Sequence, residues 1–220
     1  RAAKYNKDFF TADYILPCSR SDPQLDACIK RGFNHMRSYL AKGLPDLGVP
    51  PVEPLHIDRL VMENAAGPVR VTAVFSNITV IGPSNYTITK IRSDLKKLRI
   101  DMGLILPRIE ITGRYEVSGQ VLLFPVRSQG DFWAAFNDVT AIVKIFGKEL
   151  EKTNKKFMTA DRLLVDFKLK REAMNQFLNN NAAEIIEEMR PAASASIAKH
   201  FQTFLNAAFT KVPVDIWLKP

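Results

Sequence analysis

The chain has 220 residues, 46% apolar and 25% charged, and carries a formal net charge of +8. That length can bury one large core or two small ones, and no apolar run is long enough to cross a bilayer as a helix. The basic excess is scattered: its densest cluster, "KKLR" at Lys96 to Arg99, has no interleaved aromatic platform, so no nucleic-acid partner is expected. A solvated face is the plain reading of the charge, and contact with an anionic membrane or a receptor surface is the sharper one. The chain opens at Arg1 rather than at methionine, and a cleaved or omitted leader is the expectation.

Both cysteines, Cys18 and Cys28, fall in "PCSRSDPQLDAC" with nine residues between them. Zinc ligands favour gaps of about two to four residues and redox pairs about two, so neither chemistry fits. A structural disulfide is the first reading; two free buried thiols are the alternative. Asp22 is placed to cap a helix, with Pro23 just inside its first turn. Leu25, Ile29, Phe33, Met36 and Leu40 then recur at helical spacing and give one apolar face. A Cys18–Cys28 bond would staple the incoming chain to that helix, worth roughly 3 kcal/mol in the chain-entropy picture.

The connector "KGLPDLGVPPVEP" can be neither helix nor central strand. From about His56 to Lys170 the period changes to two. Val69, Val71, Ala73 and Phe75 share one face; Ile109, Ile111, Tyr115 and Val117 alternate with Glu110, Thr112, Arg114 and Glu116. Leu163, Val165, Phe167 and Leu169 repeat the pattern, and short connectors predict an antiparallel meander. "GLILP" and "QVLLFPV" have no polar side, so those segments are expected to be covered twice or to face an apolar cavity. "NIT" at Asn77 and "NYT" at Asn85 are acceptor sequons for N-glycosylation, and with a disulfide they favour secretion.

The last third returns to helical period. Ile185, Ile186, Met189, Ala193, Ile197, Phe201, Phe204, Leu205 and Ala208 form a broad apolar stripe, behind capping asparagines and an early Glu184, Glu187 and Glu188. Pro191 is expected to kink or break this helix near Arg190. The part from Ala192 to Thr210 alone would run about 28 Å. A long apolar helix beside a long meander has one simple solution, in which the sheet curls around the helix. With no repeat or linker, residues 1–220 read as a single domain of α+β class.

The search for catalytic groups yields little. His35, His56 and His200 are far apart in sequence, with no ligand-pair spacing, no nucleophile elbow and no phosphate-binding glycine loop. No enzyme, no cofactor and no metal are expected. Phenylalanine is in excess, 14 residues against two Trp and five Tyr. Core packing accounts for any one of them, but large apolar side chains on a curled sheet and a central helix could together line a pocket. The alternation and the helix stripe nominate Val71, Phe75, Tyr115, Val117, Phe132, Phe136, Val143, Val165, Phe167, Ile197, Phe201 and Phe204. Tyr115 stands out because a buried hydroxyl needs a partner.

"LPCSRSDPQLDACI" resembles the amino-terminal signature of the Takeout and juvenile-hormone-binding protein family of insects. "LPDLGVPPVEPLHIDRL" is similar to that family's proline-rich connector and first strand, "LILPRIEITGRYEVSGQVLLFPV" to its central hairpin, and "FLNNNAAEIIEEMRP" to its approach to the terminal helix. The resemblance implies a long C-terminal helix wrapped by a highly curved antiparallel sheet with a short N-terminal helix, like one half of the bactericidal-permeability-increasing and lipid-transfer proteins. It also implies a secreted, monomeric carrier of a small hydrophobic ligand such as a terpenoid, juvenile-hormone-like, fatty acyl or isoprenoid compound. The family's amino-terminal disulfide carries over onto Cys18 and Cys28. Many haemolymph carriers have a second disulfide, for which this chain lacks cysteines, and this favours the Takeout-like branch. "RSQGDFW" has one glycine where many members show a pair, and the tail "VPVDIWLKP" also departs. The rival reading is an interaction protein with a filled core that docks through its basic surface.

Overall fold

Alternating apolar residues from Leu55 to Lys168 build six strands, and the helical stripe builds one long helix, in a computed structural model that describes residues 12–169 and 180–220. In chain order the elements are β1 (Cys18–Ser19), α1 (Leu25–Lys42), β2 (Leu55–Asn64), β3 (Val69–Ile81), β4 (Thr87–Asp94), β5 (Arg99–Val121), β6 (Phe124–Lys152), β7 (Lys155–Lys168), α2 (Asn180–Phe209), α3 (Val214–Trp217) and β8 (Leu218–Lys219). The sheet order is β2-β3-β5-β6-β7, all antiparallel, with β4 beside the first half of β5 and β3 beside the second. This is the expected α+β architecture, a curved sheet with a C-terminal helix and a short N-terminal one.

Strands of 23 and 29 residues, as in β5 and β6, must bend if the sheet is to curl. Bulges supply such bends. In β3 the pairing slips between Ser76 and Thr79, where Asn77 has φ 50. Opposite lies Gly113, where a Cβ would come 3.0 Å from the Ser76 carbonyl and 3.1 Å from the Phe132 ring. Across β5 and β6, Leu106 faces Val139 and Arg108 faces Asn137, and Asp138 between them has φ 51. Asn and Asp tolerate this left-handed conformation better than other side chains.

Helix α2 closes the curl by bonding to both end strands. Ser196 Oγ donates to the Val61 carbonyl of β2 at 2.6 Å. On the other side, Asn206 Oδ1 accepts from the Ala160 N–H of β7 at 2.7 Å, while Gln202 Nε2 donates to the Ala160 and Asp161 carbonyls at 2.8 and 3.0 Å. Arg190 adds ion pairs to Asp166 of β7 and Glu187 of its own helix. Side chains at i and i+4 thereby satisfy backbone groups where strand pairing stops, which is how an otherwise open edge is covered. Asn206→Leu is expected to lower the unfolding free energy by about 2 kcal/mol by orphaning the Ala160 N–H. A urea titration checks it, with the exposed neighbour Thr203→Ala near neutral; an unchanged Asn206→Leu midpoint would refute the bracing role.

Three local expectations are corrected. Helix α1 begins at Leu25 after Gln24, not at Pro23. Asp22 instead accepts from the Gln24 N–H through its carboxylate at 2.7 Å, and its carbonyl accepts from Leu25, a turn that precedes the helix. Pro23 disfavours helical geometry in the residue before it, so the chain turns first and winds afterwards. Of the kink or break expected at Pro191, the break does not occur: α2 runs through it. Pro191 and Glu187 are both exposed, so the carbonyl left without its helical donor lies on the wet side.

"QVLLFPV" is not a doubly covered strand. Val121 pairs with Phe124, so Leu122 and Leu123 form the β5–β6 turn at its most apolar point, with both residues exposed. The side chains of Glu184, Ile185 and Ile186 lie outside the described residues. Among the described residues no helix is long and apolar enough to cross a membrane.

The segment before α1 is stapled to the helix as expected. Cys18 and Cys28 are bonded, with Cα atoms 5.9 Å apart. β1 pairs in parallel with β8, Cys18 opposite Leu218. Cys18, Cys28, Ile29, Ile145, Met158 and Leu218 belong to one buried cluster.

Candidate functional site

Curling brings the inner faces of β3, β5 and β6 towards α2. Phe75 faces Tyr115 across β3 and β5, and Gly113 faces Phe132 across β5 and β6. The Phe75 and Phe132 rings meet edge to face with centroids 5.4 Å apart, and Tyr115 and Phe132 at 6.4 Å. Phe75 also joins Phe201 and Phe204 of α2 in a cluster with Leu55, Ile57, Ile78 and Val80. Val71 and Val117 pack with Met62 and Met189 nearer the β5–β6 turn. Val143, Val165 and Phe201 flank the cluster that contains the disulfide.

Nine of the nominated residues therefore fall into one connected apolar system: Val71, Phe75, Tyr115, Val117, Phe132, Val143, Val165, Phe201 and Phe204. Phe136, opposite Ile109, and Phe167, opposite Ala141, continue the same inner rows. Ile197 lies half-buried on α2 outside these clusters. Of the twelve, Val71 is buried and the rest are half-buried. In a close-packed core, inward-facing aromatics would be expected to lose nearly all their exposure.

The Tyr115 hydroxyl bonds to Ser128 Oγ at 3.0 Å, not to backbone. The ring lies over Gly130 of β6, where a Cβ would sit in ordinary van der Waals contact, 3.4 to 3.7 Å from the Tyr115 ring and hydroxyl. Ser128 was not among the nominated residues. No sequence signal marks it, because Ser128 meets Tyr115 only through the β5–β6 register. Ile109 and Ile111, which the alternation also places inward, pack against the same cluster as Phe201 and Phe204.

The histidines stay apart. His35 bonds to the Asp13 carbonyl and His56 to Thr79 Oγ1 at 3.2 Å. His200 lies edge to face with Phe204, centroids 4.6 Å apart, and its Nε2 has no partner among the described residues. Burial pushes its imidazole below the ordinary histidine range, because the charged form is poorly solvated there. Ser194 Oγ, also buried without a partner, borders a groove of about 320 Å³ between α2 and β7 that includes Leu163, Val165 and Ala198. Among the described residues no group of three or more His, Cys, Asp or Glu is placed to hold a metal. Asn77 and Asn85 are exposed, the first at the β3 bulge and the second at the end of a short 3₁₀ turn (Pro83–Asn85).

A curled antiparallel sheet bridged end to end by one long helix, with an apolar inner face and one amino-terminal disulfide, defines the class. The chain belongs to the haemolymph juvenile hormone binding protein family, whose profile matches residues 2–172 and 170–219. It is 22% identical over 227 residues to the circadian clock-controlled protein daywake of Drosophila yakuba, covering 92% of this chain and 87% of that one. The Drosophila melanogaster daywake is 21% identical over 223 residues, covering 90% and 86%. Among solved structures, Takeout 1 of Epiphyas postvittana matches with a TM-score of 0.71 at 18% identity, covering 93% of this chain and all of that one.

Proposed function

We propose that the chain is a secreted, non-catalytic carrier that holds one small hydrophobic ligand between α2 and the inner face of β3, β5 and β6. The observation that carries this reading is the half-burial of Phe75, Tyr115, Val117 and Phe132, apolar groups turned inward without full cover. Family membership points the same way. A terpenoid, fatty acyl or isoprenoid compound fits a lining of this kind, driven by burial of its apolar surface at about 25 cal/mol per Å² before ordering costs. The Tyr115–Ser128 pair is the polar feature in that lining and would orient a ligand's oxygen. The nominated set, with Phe136, Phe167 and Ile197, is the proposed lining. The chain acts as one monomeric domain, with Asn77 and Asn85 open to glycosylation.

Saturable binding of N-phenyl-1-naphthylamine, displaced by a terpenoid or a fatty acid, is the expected result in solution. Val117→Trp, which puts a large ring between Ala73 and Ser128, should weaken that binding at least about tenfold, ~1.4 kcal/mol, with little change in melting temperature. Mass spectrometry of an organic extract, beside one from an unrelated protein made in the same host, would identify a resident compound. Absence of saturable binding for the probe and for a panel of terpenoids and fatty acids would overturn the carrier and favour a filled core.

A further inference from the structure

Among the described residues the most exposed large apolar side chains are consecutive: Leu122, Leu123 and Phe124 are 60%, 83% and 71% exposed at the β5–β6 turn. The Leu122 N–H donates to the Pro68 carbonyl, which fixes this turn beside the β2–β3 turn formed by Ala65, Ala66, Gly67 and Pro68. Neither 65–69 nor 120–126 contains a charged residue. Exposed Arg70, opposite Gln120, and exposed Arg127, opposite Ser118, flank the tip. Glu63 and Glu116 lie further down the strands, and Glu188 approaches Gly67.

We propose that this tip is a membrane-docking wedge which inserts Leu122, Leu123 and Phe124 into the outer layer of an anionic lipid surface. The shape selects the occupant. A stable protein interface buries about 800 Å² per partner against a complementary surface. A projecting two-residue turn presents far less area, whereas a bilayer accepts a convex apolar wedge without any complement. The overall charge of +8 favours an anionic surface, with Arg70 and Arg127 at the depth of its headgroups. Behind the tip, Val121 packs with Val69, Val71, Met189 and Val117, so apolar surface continues from the turn to the inner face. This gives the wedge a use that rests on the carrier reading, since a hydrophobic ligand could pass between bilayer and interior without crossing water. The docking itself does not depend on that reading.

Flotation with phosphatidylcholine–phosphatidylglycerol vesicles tests it. The intact protein should float with them, and Leu123→Asp with Phe124→Asp should weaken partitioning at least about tenfold. Ile142→Asp, on an exposed apolar residue of β6 far from the tip, should not. In a separate Phe124→Trp variant, lipids brominated in their acyl chains should quench the new fluorescence. Failure of the intact protein to float, or equal partitioning by the double variant, would overturn the wedge. So would sedimentation showing a dimer that Leu123→Asp dissociates, because the tip would then serve a second copy. Naphthylamine binding in solution is measured on the same samples. Its loss with docking intact condemns the carrier alone, and its retention without docking condemns the wedge alone.

Discussion

Glu53→Ala should cost about 3–4 kcal/mol of unfolding free energy, seen as a fall of roughly 10 °C in melting temperature. Glu53 is the penultimate residue of the proline-rich connector, and its carboxylate gathers the chain where β3 ends. Oε1 accepts from the Gly82 N–H at 2.9 Å; Oε2 accepts from Gly82 at 3.1 Å, from the Ser84 N–H at 3.3 Å and from Ser84 Oγ at 2.7 Å. Ser84 is 8% exposed, so water does not readily replace the lost acceptor. Gly82 has φ 100, and a Cβ there would lie 2.2 Å from the Arg108 carbonyl, so the turn packs backbone to backbone on β5. Alanine leaves two backbone donors and a hydroxyl unpaired against the sheet, each costing about 1–3 kcal/mol at full burial and less where strain relaxes. Glu53→Gln keeps an acceptor and should lose about half as much. Urea unfolding with an unchanged slope is the measurement, and a loss under about 1 kcal/mol for the alanine variant would show that water fills the place.

Local chemistry made the helix, the strand faces and the cysteine pair legible. Ile109 to Val117 alternate in sequence as they do in the sheet, because period two is a property of one strand. What stayed hidden depends on two strands at once. Phe136 and Val143 are seven residues apart and strict alternation would put them on opposite faces. Both face inward because the chain changes phase at Asp138. The bulge at Asn77 is equally silent, since an Asn in a sequon reads as a modification site rather than as a bend. Register also explains "VLLFPV": apolar continuity signals burial only while the strand persists, and the Val121–Phe124 pair ends it. Gln202 and Asn206 carry no signal in the sequence. Their use as caps for Ala160 becomes visible only when β7 is seen to end the sheet there.

Removing the Cys18–Cys28 bond should cost about 3 kcal/mol, the entropy of closing a loop of this length in the unfolded chain. The Cys18→Ala/Cys28→Ala pair is the better test, because both sulfurs lie in the buried cluster, 6% and 9% exposed, and a serine would add an unpaired hydroxyl. The bond reaches beyond its own loop. Cys18 lies opposite Leu218, the Arg20 N–H donates to the Lys219 carbonyl at 2.9 Å, and Ser19 Oγ donates to the Pro220 carbonyl at 2.8 Å. Loosening the amino-terminal segment should therefore also loosen the carboxyl-terminal one, and amide exchange should rise at β8 as well as at β1. If the midpoint does not move and β8 stays protected, burial of Leu218 holds this end unaided and the bond is dispensable. The location adds a second readout. Helix α1 packs on β4, which pairs with the beginning of β5, whereas the Leu122–Leu123 turn follows the end of β5. A ligand held by Val71, Phe75, Tyr115, Val117 and Phe132, away from the disulfide cluster, should be bound by the alanine pair as by the intact protein, at temperatures where both are folded. Weaker naphthylamine binding by the folded alanine pair would instead show that the lining beside the disulfide cluster, Val143, Val165 and Phe201, holds part of the ligand.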